Sequence, residues 1–589
     1  MQQSMAVLLT RLWGHTSPHR RGQFILLLAL MLLTSFAEIL SIGAVLPFLG
    51  VLTTPERIFE LPAIQPIVET LNLTEPRQLL FPLTVAFGLA ALIAGGMRLL
   101  LLWVSTRLSF ASGADLSISM YRRTLYQSYA THCARNSSEV INGITGKSNI
   151  VIHSIILPAL IFISSSLMLI AILITLLIVE PVIALIAFGG FGLIYVGIIR
   201  LTRKKLLVDS ECVARESTQV IKSLQEGLGG IRDVLLDGSQ EEYCRIYRNA
   251  DSQLRRAQGN SLFISSSPRY GMEALGMLLI SALAYSLANQ VDGISKAIPI
   301  LGALALGAQR LLPVLQQAYG SWTQINSGKV SLKDTLKLLD QPLPDYANHQ
   351  PIRLQFRKNI NLKCLGFRYG EMTPYVLKDI NLTISKGSCI GFIGATGSGK
   401  STLLDIIMGL LQPTSGLLEI DDQVITLANH RGWQAHIAHV PQAIFLADST
   451  IAENIAFGIP KDQIDHSRVI QAAQQAQISE SIESWPMQYQ TFIGERGIRL
   501  SGGQRQRIGI ARALYRQADV IIFDEATSAL DNETEKAVMQ AINNLSKELT
   551  VLIIAHRLTT LEGCTQIIEL GEGVIKRIGS YQEIVATSA

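Results

Sequence analysis

"GFIGATGSGKSTLLDIIMGLL", Gly391–Leu411, opens as an apolar strand, turns through glycines and continues as a helix. Gly394, Gly399, Lys400 and Ser401 stand at the spacing of a phosphate-binding loop. Glycines there let backbone N–H groups curl around an anion that side chains would keep away, and the positive end of the following helix adds to the attraction. Lys400 would reach the β- and γ-phosphates of a nucleotide, and the Ser401 hydroxyl would ligate Mg2+. Short apolar strands alternate with helical patterns around this stretch, the signature of an α/β domain.

Downstream, "ADVIIFDEATSALD" (Ala518–Asp531) supplies a strongly apolar strand ending in Asp524 and Glu525. At the carboxyl end of a strand, two adjacent carboxylates can divide labour. Asp524 would hold Mg2+ through water, while Glu525 would polarise the water that attacks the γ-phosphate. An acidic pair can also simply cap a helix, a reading that loses force beside a phosphate loop.

Between these stretches lies "LSGGQRQRIGIARAL", Leu500–Leu514. With it the chain resembles the ATP-binding cassette (ABC) family, whose signature is LSGGQ. The resemblance implies that ATP lies along Gly394, Ala395, Thr396, Gly397, Ser398, Gly399, Lys400, Ser401 and Thr402 of one subunit. It implies too that Ser501, Gly502, Gly503 and Gln504 of a second subunit close over the phosphates from a helix N-terminus. Tyr369 resembles the aromatic that stacks on adenine, although an ordinary strand aromatic reads the same way. Gln442, in "VPQ", resembles the glutamine that senses Mg2+ and the attacking water. Glu495, in "GERG", matches an element that faces the membrane domain in exporters. Asp531 matches the aspartate of the loop crossing the dimer interface, and His556, in "IIAHRL", the histidine at the γ-phosphate.

The first part of the chain follows other rules. The 589 residues are 48% hydrophobic and 16% charged, with a mean hydropathy of +0.32. Apolar runs long enough to span a bilayer lie near Phe24–Leu52, Phe81–Val104, Ile155–Val179, Pro181–Leu201, Leu262–Asn289 and Ala297–Leu315. The first run is longer than a signal-peptide core and lacks a small-residue cleavage site, so it reads as a retained helix. Arg11, Arg20 and Arg21 precede it, and basic residues crowd the segments after the second and fourth runs. Glu180-Pro181, the whole link between the third and fourth, has none. The excess of basic residues predicts both termini in the cytoplasm. The segments 107–154 and 202–261 have helical periodicity and few prolines, so long helices are expected to continue below the membrane. Upstream of the first run, "SMAVLLTRLW" is amphipathic enough to lie on the inner interface.

"LLDQPLPDYANHQP" (Leu338–Pro351) has linker composition. The expected architecture is therefore a six-helix membrane domain over residues 1–340, with cytoplasmic helical extensions, followed by an α/β P-loop ATPase domain over 351–589. A net charge of +4 gives no case for a nucleic-acid partner. The six cysteines show no paired spacing, which argues against a disulfide framework or zinc site and suits reduced thiols.

Six runs plus one cassette resemble an ABC exporter half-transporter. The resemblance implies a dimer, because one LSGGQ completes the site on the other subunit, and Mg2+-ATP hydrolysis coupled to transport across the inner membrane. Glu525 and LSGGQ are both intact, which favours a homodimer over a pair with one degenerate partner. "RNSSEVIN" near Asn136 and "GIRDVLLDG" near Ile231 would be the coupling elements.

Cargo must be read from the spans. "GGMRLLLLW" (Gly95–Trp103) carries Arg98 inside an apolar run, where a charge is costly and has either a partner or a task. At about 1.5 Å per helical residue, Arg98 lies about 26 Å from the outer end of its run, Arg310 about 20 Å and Arg269 about 30 Å. Two readings stand. The three arginines could form a basic belt that reads a phosphorylated head group. Alternatively, Arg269 and Glu273, spaced i, i+4, could neutralise each other, Arg98 could snorkel to the inner interface, and Glu38 could pair with any of the three. In the outer loop, Ile64, Ile67, Val68 and Leu71 form a short apolar stripe, suited to helix packing or to the membrane surface. Arginines and outer helix together resemble bacterial flippases of polyprenyl-pyrophosphate-linked oligosaccharides, of the PglK kind. A lipid A-like glycolipid, a peptide or a hydrophobic drug is the rival cargo, and a membrane-anchored regulatory ATPase the rival class.

Overall fold

The computed structural model describes residues 4–53, 55–59, 65, 69, 73–179, 181–288, 311–349, 351–525, 531–543, 548–555 and 557–586. The chain forms two compact units, one of Met1–Gln127 with Arg135–Pro342 and one of Ser128–Ala134 with Leu343–Ala589.

Every regular element among the described residues of the first unit is helical. Its longest elements are Pro18–Thr53, Leu80–Leu125, Leu157–Val179, Pro181–Gly229, Gln240–Ser266 and Pro268–Ala288. Three helical stretches among the described residues are long and apolar enough to cross a membrane: Pro18–Ser41, Pro76–Leu125 and Ser137–Thr175. The fourth run falls on the helix Pro181–Gly229, and the fifth begins at the end of Gln240–Ser266 and continues on Pro268–Ala288. Residues 297–310 of the sixth run lie outside the described residues, and its remainder, 311–315, belongs to a helical stretch that continues to residue 327. The 46 residues of Leu80–Leu125 extend about 69 Å, against about 30 Å of hydrocarbon. More than half of that helix therefore stands in a polar medium, which its sequence anticipates by changing from leucine-rich to serine- and arginine-rich after Trp103.

The amphipathic helix Met5–Gly14 does not need a membrane surface for its apolar face. Leu8 and Leu12, one turn apart, are buried against Leu332, Leu336 and Leu339 in the core of this unit. Arg11 and His15 both engage Asp340, His15 with its Nε2 2.9 Å from Oδ1. A leucine stripe met by another leucine stripe, with ion pairs at its rim, fixes the helix on protein.

Among the described residues the second unit carries ten strands: β1 (Asn359–Phe367), β2 (Leu377–Ser385), β3 (Cys389–Ile393), β4 (Ser415–Ile420), β5 (Gln423–Val424), β6 (Ile437–Val440), β7 (Val520–Asp524), β8 (Thr550–Ile554), β9 (Gln566–Gly571) and β10 (Val574–Gly579). An antiparallel sheet has the order β2-β1-β4-β5, and a larger one the order β10-β9-β3-β8-β7-β6. In the larger sheet β9, β3, β8, β7 and β6 are mutually parallel. All five residues of β8 are buried, and four of five in β7, as strands covered on both faces require. One face packs on Ile406 and Ile407 of the helix Lys400–Ile407, the other on Ile508, Ile510 and Leu514 of the helix Gly502–Tyr515. The carboxyl ends of β3, β6 and β7 consequently share one edge, where ligands bind in open parallel sheets.

Candidate functional site

The loop after β3 turns through Gly394 (φ 145°), Gly397 (φ 82°) and Gly399 (φ 99°), backbone that a side chain strongly disfavours. At Gly394 a Cβ would stand 2.1 Å from the Leu570 carbonyl oxygen. The Lys400 ammonium is buried and donates to the carbonyl oxygens of Gly394 (2.8 Å) and Ala395 (3.0 Å), so the loop is curled around its own cation. Ala395, Thr396 and Ser398 complete the turn, and Ser401 and Thr402 lie in the first turn of Lys400–Ile407. Tyr369 is 59% exposed, so it is no core aromatic. Its hydroxyl lies 3.2 Å from Thr402 Oγ1 beside the loop.

From β7, Asp524 meets the Ser401 hydroxyl in a hydrogen bond, while burial and then the charge of Glu525 raise the Asp524 carboxyl above the usual range. Glu525 takes a left-handed φ of 50°, with its N–H donating to Ile554 O at 3.1 Å. Such backbone in a non-glycine residue costs energy and is kept where geometry matters. Gln442, two residues past β6, donates from Nε2 to Glu525 Oε2 at 2.6 Å. Three separate strands thus deliver Ser401, Asp524, Glu525 and Gln442 to one place. A hydroxyl, two carboxylates and an amide oxygen beside a phosphate cradle form a hard-oxygen set that suits Mg2+.

The signature helix begins at Gly502 with Ser501 as its N-cap. The Ser501 hydroxyl accepts from Gln504 N–H, and the Gln504 side chain accepts from Ser501 N–H. This reciprocal cap fixes the orientation of Ser501, Gly502 and Gly503. Asp531 caps the helix Asn532–Asn543 through Thr534 N–H (2.9 Å) and Oγ1 (2.7 Å). Glu495 opens a short 3-10 turn on the surface of the second unit. His556 lies outside the described residues, directly beyond the end of β8.

Two features had no signal in the motifs. Asp405, on the helix behind the phosphate loop, is lifted to about 6 by burial and by the charge of Asp524. The helix Tyr129–Cys133 belongs to this unit although its sequence sits inside the first. Tyr129 is raised to about 12 by a hydrogen bond to Cys133, then by burial and by Asp405. Residues 128–134 thus group with the cassette unit, immediately before the stretch "RNSSEVIN" near Asn136.

In the first unit, Arg98 Nη2 is 3.1 Å from Glu38 Oε2; the Glu38 side chain is 1% exposed and that of Arg98 42%. Thr34, Ser35 and Ser41 are buried on the same helix as Glu38. Arg269 Nε is 2.6 Å from Glu273 Oε1. Both described arginines of the expected belt therefore hold a carboxylate, as the pairing reading requires. Arg310 and all four residues of the outer stripe, Ile64, Ile67, Val68 and Leu71, lie outside the described residues.

Known proteins agree with this layout. The ABC transporter family model matches residues 377–528, and the ABC transporter transmembrane region model matches residues 23–294. An ATP-dependent lipid A-core flippase of Cupriavidus pinatubonensis is 28% identical over 494 residues, covering 81% of this chain and 83% of the relative. Another of that description, from Chromohalobacter salexigens, is 32% identical over 397 residues, 66% of this chain and 67% of the relative. The solved structure of a bacterial Atm1-family ABC exporter with ATP bound superposes with a TM-score of 0.76 at 22% identity, covering 99% of this chain and 97% of that one. The two flippases are named for lipid A-core, so the finer likeness to flippases of lipid-linked oligosaccharides rests on the sequence features alone.

Proposed function

The chain belongs to the ABC transporter family, and on that premise we propose that it works as a homodimeric, ATP-driven flippase for an amphiphile with a phosphorylated head. The observation that carries this reading is the Gln442–Glu525 contact beside Asp524 and Ser401. An intact carboxylate held at strained backbone is equipment for hydrolysis, which favours pumping over a membrane-anchored regulatory ATPase. Glu525 orients and polarises the attacking water, Gln442 positions Glu525, and Lys400 balances phosphate charge. Ser401, Asp524 and Gln442 would hold Mg2+, which would neutralise the phosphates of bound ATP. His556 would contact the γ-phosphate. Ser501 to Gln504 of the second copy would complete each site, and no nucleic acid takes part.

For the cargo, the chemistry shared by a polyprenyl-pyrophosphate-linked oligosaccharide and a lipid A-like glycolipid is a glycan, an anionic phosphorylated head and long hydrocarbon. The exposed part of Arg98 supports recognition of such a head, and counting along the sequence sets Arg269 and Arg310 at a similar distance from the outer ends of their runs. The relatives named for lipid A-core favour the second molecule; the arginines and the outer loop suggested the first. In this reading the protein resides in the inner membrane with both termini cytoplasmic and carries the lipid outward. Purified protein in proteoliposomes should show ATPase stimulation by one of the two lipids above the level given by a hydrophobic drug. Equal responses to lipid and drug would remove the lipid assignment.

A further inference from the structure

We propose that Cys389 and Cys564 form an oxidative modification site, a thiol pair set to close into an intramolecular disulfide when it meets a peroxide. Cys389 is the first residue of β3, and Cys564 follows the 3-10 turn Leu558–Leu561 just before β9. They are 175 residues apart in the chain, yet their Sγ atoms are 3.1 Å apart.

The backbone holds them there. Thr565 donates both its N–H (2.8 Å) and its hydroxyl (2.7 Å) to the Cys389 carbonyl oxygen, and Cys564 N–H donates to Leu561 O at 3.0 Å. The parallel pairing of β3 with β9 starts at the next residues, Ile390 with Gln566. Neighbouring strands put the two side chains within bonding reach with little movement of the chain.

The two sulfurs are unequal. Cys389 is partly open to solvent and Cys564 is buried. A hydrogen bond from Cys564 lowers the Cys389 thiol, and the same contact followed by burial raises Cys564. Cys389 is therefore the attacking thiolate and Cys564 the resolving thiol. In the first step Cys389 sulfur attacks one peroxide oxygen, the O–O bond breaks, and hydroxide leaves as water after taking a proton. In the second, Cys564 sulfur attacks the resulting sulfenic sulfur, the S–O bond breaks and a second water leaves with the Cys564 proton. Two thiols lose two electrons and one peroxide becomes two waters; a dithiol reductant reverses the bond by exchange.

Such a bond would close a ring containing the phosphate loop, Gln442, the signature helix and Glu525. It sits at the root of β3, about 13 Å by strand rise from the loop at the other end. It thus acts as a staple on the cassette rather than a plug in the nucleotide site.

The exposed cysteines Cys133, Cys244 and Cys364 provide an internal standard. Full-length protein in lipid nanodiscs would be treated with hydrogen peroxide, alkylated, digested and analysed by mass spectrometry. We expect the peptides of Cys389 and Cys564 to appear joined and lighter by two hydrogens, and to separate with dithiothreitol. The melting temperature of the oxidised protein should rise by on the order of 5 °C. Cys564→Ser should lose the link and leave a sulfenic acid on Cys389 that dimedone traps. Recovery of both cysteines alkylated, under peroxide that fully oxidises the three exposed ones, would overturn the proposal. That measurement is made on the unaltered protein, so it stands even if a variant folds poorly.

Discussion

The cassette and the membrane helices both place charged groups where burial is costly, and they settle the cost in opposite ways. Around the phosphate loop, Lys400 leans on backbone carbonyls and Asp524 is pushed up by the neighbouring charge of Glu525. Those groups are kept poised by backbone geometry that little but an anionic ligand explains. Between the membrane helices Glu38 answers Arg98, and Glu273 answers Arg269 on the same helix. Charges arranged against one another invite a ligand; charges arranged in opposite pairs are already satisfied.

Glu525→Gln should show the largest effect. The substitution keeps the size, the left-handed backbone and the reach to Gln442, but removes the negative charge that polarises water. ATP hydrolysis in proteoliposomes should fall by roughly 10²–10⁴-fold, with ATP still bound and trapped between two copies. Rapid hydrolysis by this variant would end the contrast, because the cassette carboxylates would then be as structural as those in the membrane.

Gly394→Ala comes next. A methyl group at φ 145° and 2.1 Å from Leu570 O cannot be placed without moving the loop. Strain of about 1–3 kcal/mol is expected, read as ATP affinity lowered at least about tenfold and a lower cassette melting temperature. Undiminished affinity would mean that the curl of the loop does not make the site.

His439 on β6 is a cassette group without the compensation seen elsewhere. Its Nε2 is buried with no hydrogen-bond partner among the described residues, and burial pushes the ring down to about 4. An unfolded histidine titrates near 6.5, so between about pH 6.5 and 4 the unfolded chain binds a proton that the folded chain refuses. Stability is therefore full above that window and falls as the pH drops through it, by about 2 kcal/mol at pH 5. His439→Leu should raise the melting temperature at pH 5 by several degrees and change it less at pH 7.5. Equal shifts at both pH values would show that the ring is not held neutral by the fold.

These cases also separate what local sequence encodes from what the tertiary fold alone decides. LSGGQ, the glycine loop and the Asp524–Glu525 pair are legible because each element of the chemistry needs a fixed residue type at a fixed spacing within one local turn. The apolar runs are legible because hydrocarbon thickness sets their length. The Cys389–Cys564 contact, the place of Asp405 beside Asp524 and the attachment of Tyr129–Cys133 to the cassette unit depend on which distant strands and helices meet. No local pattern encodes that. The stripe of Leu8 and Leu12 is legible as amphipathic, but its partner, the leucines of Lys329–Leu339, is not, because they lie more than 300 residues further along the chain.

The smallest and most discriminating effect concerns Arg98. Glu38 is 1% exposed while Arg98 keeps 42% of its side chain open, so one end of the pair is committed to the protein and the other is not. If Arg98 reads a phosphorylated head, Arg98→Ala should slow translocation about tenfold, a loss of about 1.4 kcal/mol, with basal ATPase activity within about twofold of the parent. Glu38→Gln should lower translocation less, because the guanidinium stays although its orientation loosens. The double variant should then be as slow as Arg98→Ala, since removing the carboxylate cannot replace the missing cation. If the pair is scaffold only, the cost of Arg98→Ala comes from stranding a buried carboxylate, and adding Glu38→Gln should restore both stability and transport. A double-mutant cycle scored on melting temperature and on translocation separately distinguishes the two. Recovery in both would place Arg98 with the satisfied charges of the membrane helices; recovery of stability alone would place it beside Lys400, as a cation kept for a phosphate.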